Sequence, residues 1–247
     1  MSGKRIVVFS GAGIDSESGI HTFRDTNDGL WYNYEIKEVA TTEAWKSNKE
    51  KVLDFHNKLR KELVNVRPNQ AHLDIVELEE FFDVTVVTQN VSDLHERAGS
   101  KNILHLHGEL TKGRSSYYQP MVAHKAKLYD IGYGEINVGD KCEEYGSQLR
   151  PHTVLFGEYP FNMEAAYEAI MLADYLIIVG CSFQIGYTID MINNVGPNAE
   201  VFYIDPQPVR YFDASRVGKF FSKIEKKATD GMVSVKDYLY SNNEIIA

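Results

Sequence analysis

A glycine-rich segment follows the first apolar run of the chain and has the composition of a phosphate-binding loop. Residues 5–9 (RIVVF) lead directly into residues 10–20 (SGAGIDSESGI). Glycines placed directly after a buried strand let the backbone approach a pyrophosphate at the start of the next helix. The spacing departs from the GxGxxG fingerprint, since Ser16 stands at the third glycine position. By itself the segment is therefore also consistent with a tight turn between a strand and a helix.

Polar side chains that suit ligand binding and proton transfer come after a second apolar run, at residues 84–88 (VTVVT). Gln89 and Asn90 follow it directly, and amide side chains both donate and accept hydrogen bonds, which suits ribose hydroxyls or an ordered water. His105 and His107 come next, and imidazole is a suitable base near neutral pH. Along a short strand the two histidines would share a face, so their spacing does not choose between them.

Four short apolar runs must position these groups. They are β-branched, do not alternate with polar residues and are bounded by turn residues, as expected of parallel strands covered on both faces. Stretches with helical periodicity separate them. We therefore predict an α/β fold, a Rossmann-like doubly wound parallel sheet with a smaller inserted lobe. The predicted strands are residues 5–9, 84–88, 175–180 and 201–204.

Two stretches interrupt the alternation and are predicted to form the smaller lobe over one end of the sheet. Residues 31–66 are mostly helical and charged, and residues 112–150 are polar and rich in Gly and Tyr. The predicted sheet domain then comprises residues 1–30, 67–111 and 151–247, and the predicted small lobe comprises residues 31–66 and 112–150.

The composition argues against several classes of function. The chain has 247 residues, with 26 Lys and Arg against 35 Asp and Glu, so its formal net charge is −9. That balance argues against nucleic acid as a main partner, because phosphate binding needs a basic face. The apolar runs are too short for a membrane span or a signal peptide, and Cys142 and Cys181 are too few for a disulfide framework. We expect a cytoplasmic monomer that binds neither nucleic acid nor membranes.

Five motifs, in this order and at these separations, resemble those of the sirtuins, the NAD-dependent protein deacylases. They are GAGIDSESGIHTFRD, TQNVSDLHERAG, HLHGEL, LRPHTVLFGE and VGCS. The resemblance covers nearly the whole chain and is closest to bacterial sirtuins. It implies an enzyme that uses NAD to remove an acyl group from a lysine of a protein or peptide. The implied products are free lysine, nicotinamide and O-acyl-ADP-ribose.

The resemblance also implies roles for individual positions. His107 of HGEL would be the catalytic base, and Asn90 and Gln89 would hold the nicotinamide ribose and a water. The segment Phe156, Gly157 and Glu158 would pair as an edge with the extended acyl-lysine peptide. The other positions implied to bind NAD are Gly11, Ala12 and Gly13 at the diphosphate, Phe23 and Arg24 over the ribose, Ser92 at nicotinamide, and Gly180, Cys181, Ser182 and Asp205 on the adenosine side.

Two departures from the sirtuin pattern fall inside these motifs. Sirtuins usually have an Asp directly after the N-I of TQNID, where it binds the carboxamide of nicotinamide, but this chain has Ser92. A hydroxyl accepts less strongly than a carboxylate, so weaker handling of nicotinamide is expected. Asp15 replaces the usual Ser of GAGIS. A carboxylate near a diphosphate is unfavourable unless it meets a hydroxyl or caps the following helix.

A third departure concerns metal. The structural zinc of the family uses two pairs of cysteines in the small lobe, whereas this chain has only Cys142 there and Ser115 at the first cysteine position. Cys142 and His124 are too few ligands for a tetrahedral site, so we expect no metal.

A fourth departure concerns the acyl pocket. Bacterial-type sirtuins that prefer acidic acyl groups have a Tyr and, three residues later, an Arg on a small-lobe helix, where this chain has His56 and Leu59. His56 and Arg60 stand four residues apart on one helical face and could still receive a carboxylate. A solvated helix face is the simpler interpretation.

Two other functions stay open. An NAD glycohydrolase or ADP-ribosyltransferase on the same fold is favoured by Ser92 and by the missing zinc cysteines, but it has no use for a peptide-binding edge. A catalytically weak NAD-binding module is favoured by Asp15 and Ser92 and disfavoured by the intact Gln89, Asn90 and His107.

Overall fold

The structure, a computed structural model, describes residues 3–20, 34–117, 127–209 and 217–245. In these ranges the strands are β1 (Arg5–Ser10), β2 (Asp83–Thr88), β3 (Ile103–His105), β4 (Gly108–Ser115), β5 (Leu128–Asp130), β6 (Leu149–Thr153), β7 (Tyr175–Val179), β8 (Glu200–Ile204) and β9 (Phe220–Ile224). The helices are α1 (Ala12–Ser16), α2 (Ile36–Val39), α3 (Thr42–Ser47), α4 (Lys49–Asn65), α5 (Gln70–Leu78), α6 (Leu94–Ala98), α7 (Met163–Met171), α8 (Gly186–Asn193) and α9 (Ala228–Asn242). None of these described helices combines the length and the apolar character needed to cross a bilayer.

The large sheet has six parallel strands in the order β3-β2-β1-β7-β8-β9. The four predicted strands are its four central members, β2, β1, β7 and β8, and the predicted doubly wound α/β fold is confirmed. These strands formed the clearest sequence signal because both of their faces are covered. β7, for example, is buried at all five positions.

Helices cover both faces of the large sheet, and alternate residues of each strand point to opposite sides. In β1, Ile6 and Val8 pack with α5 and α9, whereas Val7 and Phe9 pack with α7 and α8. Each of these four side chains is at most 2% exposed. Burial of one such side chain contributes roughly 1.5–3 kcal/mol, so the two apolar layers hold the sheet and fix where its strands end.

The smaller lobe is built on an antiparallel sheet of three strands in the order β5-β4-β6. Helices α3 and α4 pack on it through an apolar cluster that includes Trp45, Leu53, Ile136 and Leu155. Asn48 caps α4, since its side chain accepts from the Lys51 N–H at 3.0 Å. The predicted division of the chain into two domains stays a prediction.

Candidate active site

The candidate site lies at the carboxyl edge of the large sheet, beside β1. The chain leaves β1 toward β2 and β3 on one side, while β7, β8 and β9 lie on the other side. Open α/β sheets bind ligands in the crevice at such a switch in strand order. Gly11 follows β1, Gln89 follows β2 and Gly180 follows β7, so three loops meet there.

The loops that follow β1 and β7 contact each other through their backbones. The N–H groups of Gly11 and Gly13 donate to the carbonyls of Val179 and Gly180 at 3.0 and 2.9 Å. A Cβ on Gly13 would lie 2.5 Å from the Gly180 Cα, and Gly180 has a φ of +61°. Only glycine fits this approach. Ala12 begins α1, where N–H groups lack intrahelical partners, so its amide is the best placed of the three for a diphosphate.

Gln89 and Asn90 are held against these loops. The Asn90 Nδ2 donates to the Gly11 carbonyl at 3.1 Å, and Asn90 is only 8% exposed. The Gln89 Oε1 accepts from the Cys181 thiol at 3.4 Å. The structure therefore brings the predicted amide side chains to the glycine loop after β1 and to the loop after β7.

His107 is placed at the same crevice with one ring nitrogen poised to accept a proton. Its Nδ1 donates to the Gln89 carbonyl at 2.8 Å, because a carbonyl can only accept. Nε2 is then the acceptor in the neutral ring, and the Tyr187 hydroxyl donates to it at 2.6 Å. Burial lowers the pKa of His107, and the bond to the Gln89 carbonyl opposes this only in part. A neutral imidazole with a lone pair at Nε2 is what a general base requires.

Tyr187 is a site residue that sequence reasoning missed. It lies in the first turn of α8, and 80 residues separate it from His107. No motif or spacing connects the two, because only the sheet topology brings the loop after β7 beside the loop after β3.

His105 has different surroundings from His107. β3 ends at His105, so alternation along the strand does not extend to His107. The His105 Nε2 lies 2.5 Å from a carboxylate oxygen of Glu96. Burial lowers the pKa of His105, but the Glu96 carboxylate outweighs it, so the net shift is upward. The Nε2 of His105 already shares a proton with the Glu96 carboxylate, so it cannot accept a second proton from a substrate. His107 is therefore the better base.

Asp15 and Ser92, the two departures inside the motifs, contact each other. The Ser92 Oγ donates to Asp15 Oδ2 at 2.7 Å, and His72 Nε2 lies 3.1 Å from Asp15 Oδ1. Asp15 is 3% exposed and Ser92 is 6% exposed. Asp15 thus meets a hydroxyl, which is the condition under which a carboxylate in this loop was expected to be tolerated.

The residues predicted for the adenosine side follow two neighbouring strands. They are Gly180, Cys181 and Ser182 after β7 and Asp205 after β8. Asp205 is buried, and its Oδ1 accepts from the Gln207 N–H at 2.8 Å, which fixes the turn that follows β8. Phe23 and Arg24, predicted to lie over the ribose, are outside the described residues.

The segment predicted to bind the peptide, Phe156 to Glu158, is hydrogen-bonded through its backbone to residues 40–42. The Phe156 N–H donates to the Ala40 carbonyl at 2.8 Å, and the Thr42 N–H donates to the Phe156 carbonyl at 3.1 Å. The Phe156 side chain is 47% exposed. A cleft of ≈ 530 Å³ opens beside Gly157, with Lys46 among the residues that line it. The chain then turns at Gly157, which has a φ of +98°, and the Glu158 N–H donates to the Leu155 carbonyl at 2.9 Å. The segment therefore forms a turn at the rim of a cleft.

The Glu158 carboxylate positions this segment and is not presented to a substrate. It is paired with Arg114 at 3.0 Å and Arg150 at 2.7 Å, and it accepts from the Leu155 N–H at 2.9 Å. Its side chain is 6% exposed. Burial raises the pKa of Glu158, but Arg150 and Arg114 outweigh burial and lower it. The Glu158 side chain thus has an anchoring role, and the predicted pairing of this segment with a peptide stays a prediction.

His56 and Arg60 do not form a solvated helix face, and that expectation is wrong. Both are buried, and Arg60 is 0% exposed. The Arg60 Nε donates to the Gly134 carbonyl at 2.8 Å. The His56 Nδ1 donates to the Val52 carbonyl at 2.8 Å, its Nε2 bonds Thr153 Oγ1 at 3.1 Å, and burial lowers its pKa to about 4. Both polar ends satisfy internal partners, so neither presents a free group to an acyl carboxylate.

The neighbours of Cys142 do not fit a zinc site. Its Sγ lies 3.4 Å from the Ser147 Oγ, which in turn lies 2.7 Å from the Ser115 Oγ. Neutral hydroxyls are poor replacements for the thiolates of a tetrahedral zinc site. His124 is outside the described residues, and the absence of zinc stays a prediction.

Comparison with known proteins gives a consistent result. The model of the Sir2 family matches residues 11–186. An NAD-dependent protein deacylase of Bacteroides thetaiotaomicron is 42% identical over 236 residues, 96% of this chain and 98% of that protein. A Sir2 homologue solved in complex with NAD is 31% identical with a TM-score of 0.81, covering 97% of this chain and 91% of that one. Sir2Af2 bound to a myristoylated histone peptide is 26% identical with a TM-score of 0.68, covering 98% and 93%.

Proposed function

This chain belongs to the Sir2 family, and from that premise we propose that it is an NAD-dependent protein-lysine deacylase in which His107 is the general base. NAD is its cosubstrate. The products are free lysine, nicotinamide and O-acyl-ADP-ribose. One observation carries the assignment of the base: the neutral His107 ring presents Nε2 where the loops after β1, β2 and β7 meet.

The residues at this crevice fit NAD. The close approach of Gly13 to Gly180, which a Cβ would block, holds the two loops together, and the Ala12 amide at the start of α1 suits a diphosphate. The amide of Gln89 and the carboxylate of Asp205 suit ribose hydroxyls. NAD, when bound, supplies a ribose carbon that is open to attack by the acyl oxygen.

His107 moves the proton. Its Nε2 accepts a proton from a ribose hydroxyl, and the Gln89 carbonyl then stabilises the imidazolium through Nδ1–H. The Tyr187 hydroxyl occupies Nε2 in this structure, so the substrate hydroxyl must replace it before proton transfer.

The acyl-lysine substrate is proposed to lie along Phe156 and Gly157. Residues 40–42 hold the backbone of Phe156, the chain turns at Gly157, and the Glu158 carboxylate fixes the segment to the small sheet. An extended peptide can add to such an edge by main-chain hydrogen bonds. The myristoylated histone peptide held by Sir2Af2 supports a peptide substrate for this chain.

The setting is proposed to be the cytoplasm, with the protein acting as a monomer that needs no zinc, nucleic acid or membrane. Cys142 and Cys181, the two cysteines of the chain, form no disulfide, as is usual in a reducing compartment. The formal net charge of −9 opposes a broad contact with nucleic acid.

Release of nicotinamide from NAD, with and without an acetyl-lysine peptide, tests this function. His107→Ala should lower peptide-dependent release about 10²-fold or more, the usual effect of losing a general base. His152→Ala is the matched control, because His152 is a buried histidine on β6 whose ring stacks on Phe161. It should release nicotinamide at the wild-type rate. Full activity of His107→Ala would refute this base, and release that needs no peptide would indicate an NAD glycohydrolase.

A further inference from the structure

Two positions at which this chain departs from the sirtuin pattern lie against each other. The pattern has Ser at position 15 and Asp at position 92, and this chain has the reverse. Although 77 residues separate them, the Ser92 hydroxyl donates to the Asp15 carboxylate at 2.7 Å. Relative to the sirtuin pattern, the hydroxyl and the carboxylate of this hydrogen-bonded pair are exchanged between positions 15 and 92.

The pair sits in the contact between the two loops that frame the crevice. Asp15 lies one helical turn beyond Gly11, and Ser92 lies two residues beyond Asn90. Asn90 and Gly11 are themselves joined by the 3.1 Å bond from the Asn90 Nδ2. Two hydrogen bonds thus connect the segment after β1 to the loop after β2. One joins Asn90 to Gly11, and the other joins Ser92 to the Asp15 carboxylate.

His72 fixes the other oxygen of Asp15. The Asn69 N–H donates to His72 Nδ1 at 3.3 Å, so the ring proton is on Nε2 and is donated to Asp15 Oδ1 at 3.1 Å. Each carboxylate oxygen holds one donor and can accept a second. Among the described residues, Asp15 makes no ion pair with Lys or Arg. The Asp15 carboxylate can therefore accept a further hydrogen bond from an amide N–H of a ligand. Its negative charge also favours a ligand group that carries positive charge.

Resting on the proposed function, we propose that Asp15 is the residue that binds the carboxamide of nicotinamide in this chain, and that Ser92 positions it. The carboxylate reaches the nicotinamide site from α1 instead of from the loop after β2. Ser92 is then no defect in nicotinamide binding. It is the partner required by a carboxylate at position 15.

The exchange makes a specific prediction for single and double variants. Ser92→Asp alone would place two carboxylates within hydrogen-bond distance, and such a pair does not ionise fully. It should therefore weaken nicotinamide binding. The double variant Asp15→Ser with Ser92→Asp restores one carboxylate and one hydroxyl and should bind nicotinamide as the wild type does.

Binding measurements on the full chain test the proposal without any turnover. We would measure the Kd of ADP-ribose by calorimetry, and the Kd of nicotinamide by ligand-observed NMR on protein saturated with ADP-ribose. Asp15→Asn keeps the acceptor for Ser92 but loses the charge, and it should weaken nicotinamide about tenfold or more with ADP-ribose affinity unchanged. Asp93→Asn is the matched control, because Asp93 is adjacent to Ser92 and pairs instead with Arg97. It should change neither Kd.

The proposal stands if the double variant regains nicotinamide affinity to within about threefold while each single variant loses it. It is overturned if Asp15→Asn leaves nicotinamide binding unchanged, or if it weakens both ligands equally and lowers the melting temperature, since that pattern indicates a purely structural pair. Failure of the deacylase assignment would appear separately, in the peptide assay. A wild-type chain that binds ADP-ribose and nicotinamide without deacylating a peptide would refute only the function.

Discussion

At the scale of single residues, the proposed role of His107 as the base predicts how the reaction depends on pH. Burial lowers its pKa, so the ring stays neutral and able to accept a proton below pH 6.5. The Tyr187 hydroxyl donates to Nε2 only when the ring is neutral, which favours the neutral form further. Because kcat/KM reports the free enzyme, it should rise with pH through an apparent pKa below 6.5.

Replacing Tyr187 by Phe should shift the acidic limb of this profile, the pH range over which kcat/KM rises. Without the hydroxyl the neutral ring loses a donor, so the pKa of His107 rises and kcat/KM for NAD falls off at a higher pH, by about 0.5–1 pH unit. The measurement is the pH profile of kcat/KM, with Tyr238→Phe on the distant helix α9 as the control. An acid limb that stays in place, or that moves to lower pH, would show that Tyr187 does not act on the base.

Sequence reasoning found the site residues that directly follow strands and missed those that the fold brings in from elsewhere. Gln89 and Asn90 could be predicted because they come immediately after the buried β2. The contact between Asp15 and Ser92 could not, since hydrogen bonding across 77 residues has no signature in the spacing of either residue. The sequence alone predicts two separate weaknesses at positions 15 and 92, whereas in the structure these residues form one hydrogen-bonded pair.

At the scale of secondary-structure elements, one buried ionic cluster joins the small sheet to the segment predicted to bind the peptide. Arg114 is on β4, Arg150 is on β6, and Glu158 lies beyond β6, where it accepts from both. All three side chains are at most 6% exposed. Removing the single carboxylate would leave two buried guanidinium groups without their shared partner.

Glu158→Gln should therefore lower the free energy of unfolding by about 3–5 kcal/mol and weaken peptide binding, because the edge loses its anchor.

The lowered pKa of Glu158 means that its stabilisation is present above the unfolded-state pKa and is lost as the pH falls through the folded-state pKa, below 4.5. Denaturant unfolding at neutral and acidic pH measures both effects. Glu143→Gln removes only an exposed pair with Lys127 and should change nothing measurable. Equal stability of the two variants would contradict the anchoring role.

The elements that the sequence predicted are those buried on both faces. β3 and β9 were missed because they are the edge strands of the large sheet: β3 has three residues, and β9 (FFSKI) has no fully buried position. The small sheet was missed because β4 (GELTKGRS) carries glycines and charges, and its pairing with β6 depends on residues far apart in sequence.

At the scale of the whole molecule, the small lobe is expected to hold together without metal. The contacts on which its cohesion would then rest are the apolar cluster on α3 and α4 and the Arg114–Glu158–Arg150 cluster. Treatment with a strong chelator should therefore change neither the melting temperature nor the rate of deacylation. Metal analysis should find less than stoichiometric zinc. One firmly bound zinc per chain, with a melting temperature that falls on its removal, would contradict this account.

The products formed from NAD and an acetyl-lysine peptide test the central claim most directly. Mass spectrometry of one reaction can count nicotinamide, deacetylated peptide and O-acetyl-ADP-ribose together. A deacylase with His107 as its base predicts equal amounts of all three, and about 10²-fold less of the deacetylated peptide and of O-acetyl-ADP-ribose with the His107→Ala variant. Free ADP-ribose and nicotinamide formed while the peptide keeps its acetyl group would show that water, and not the acyl oxygen, takes the ribose.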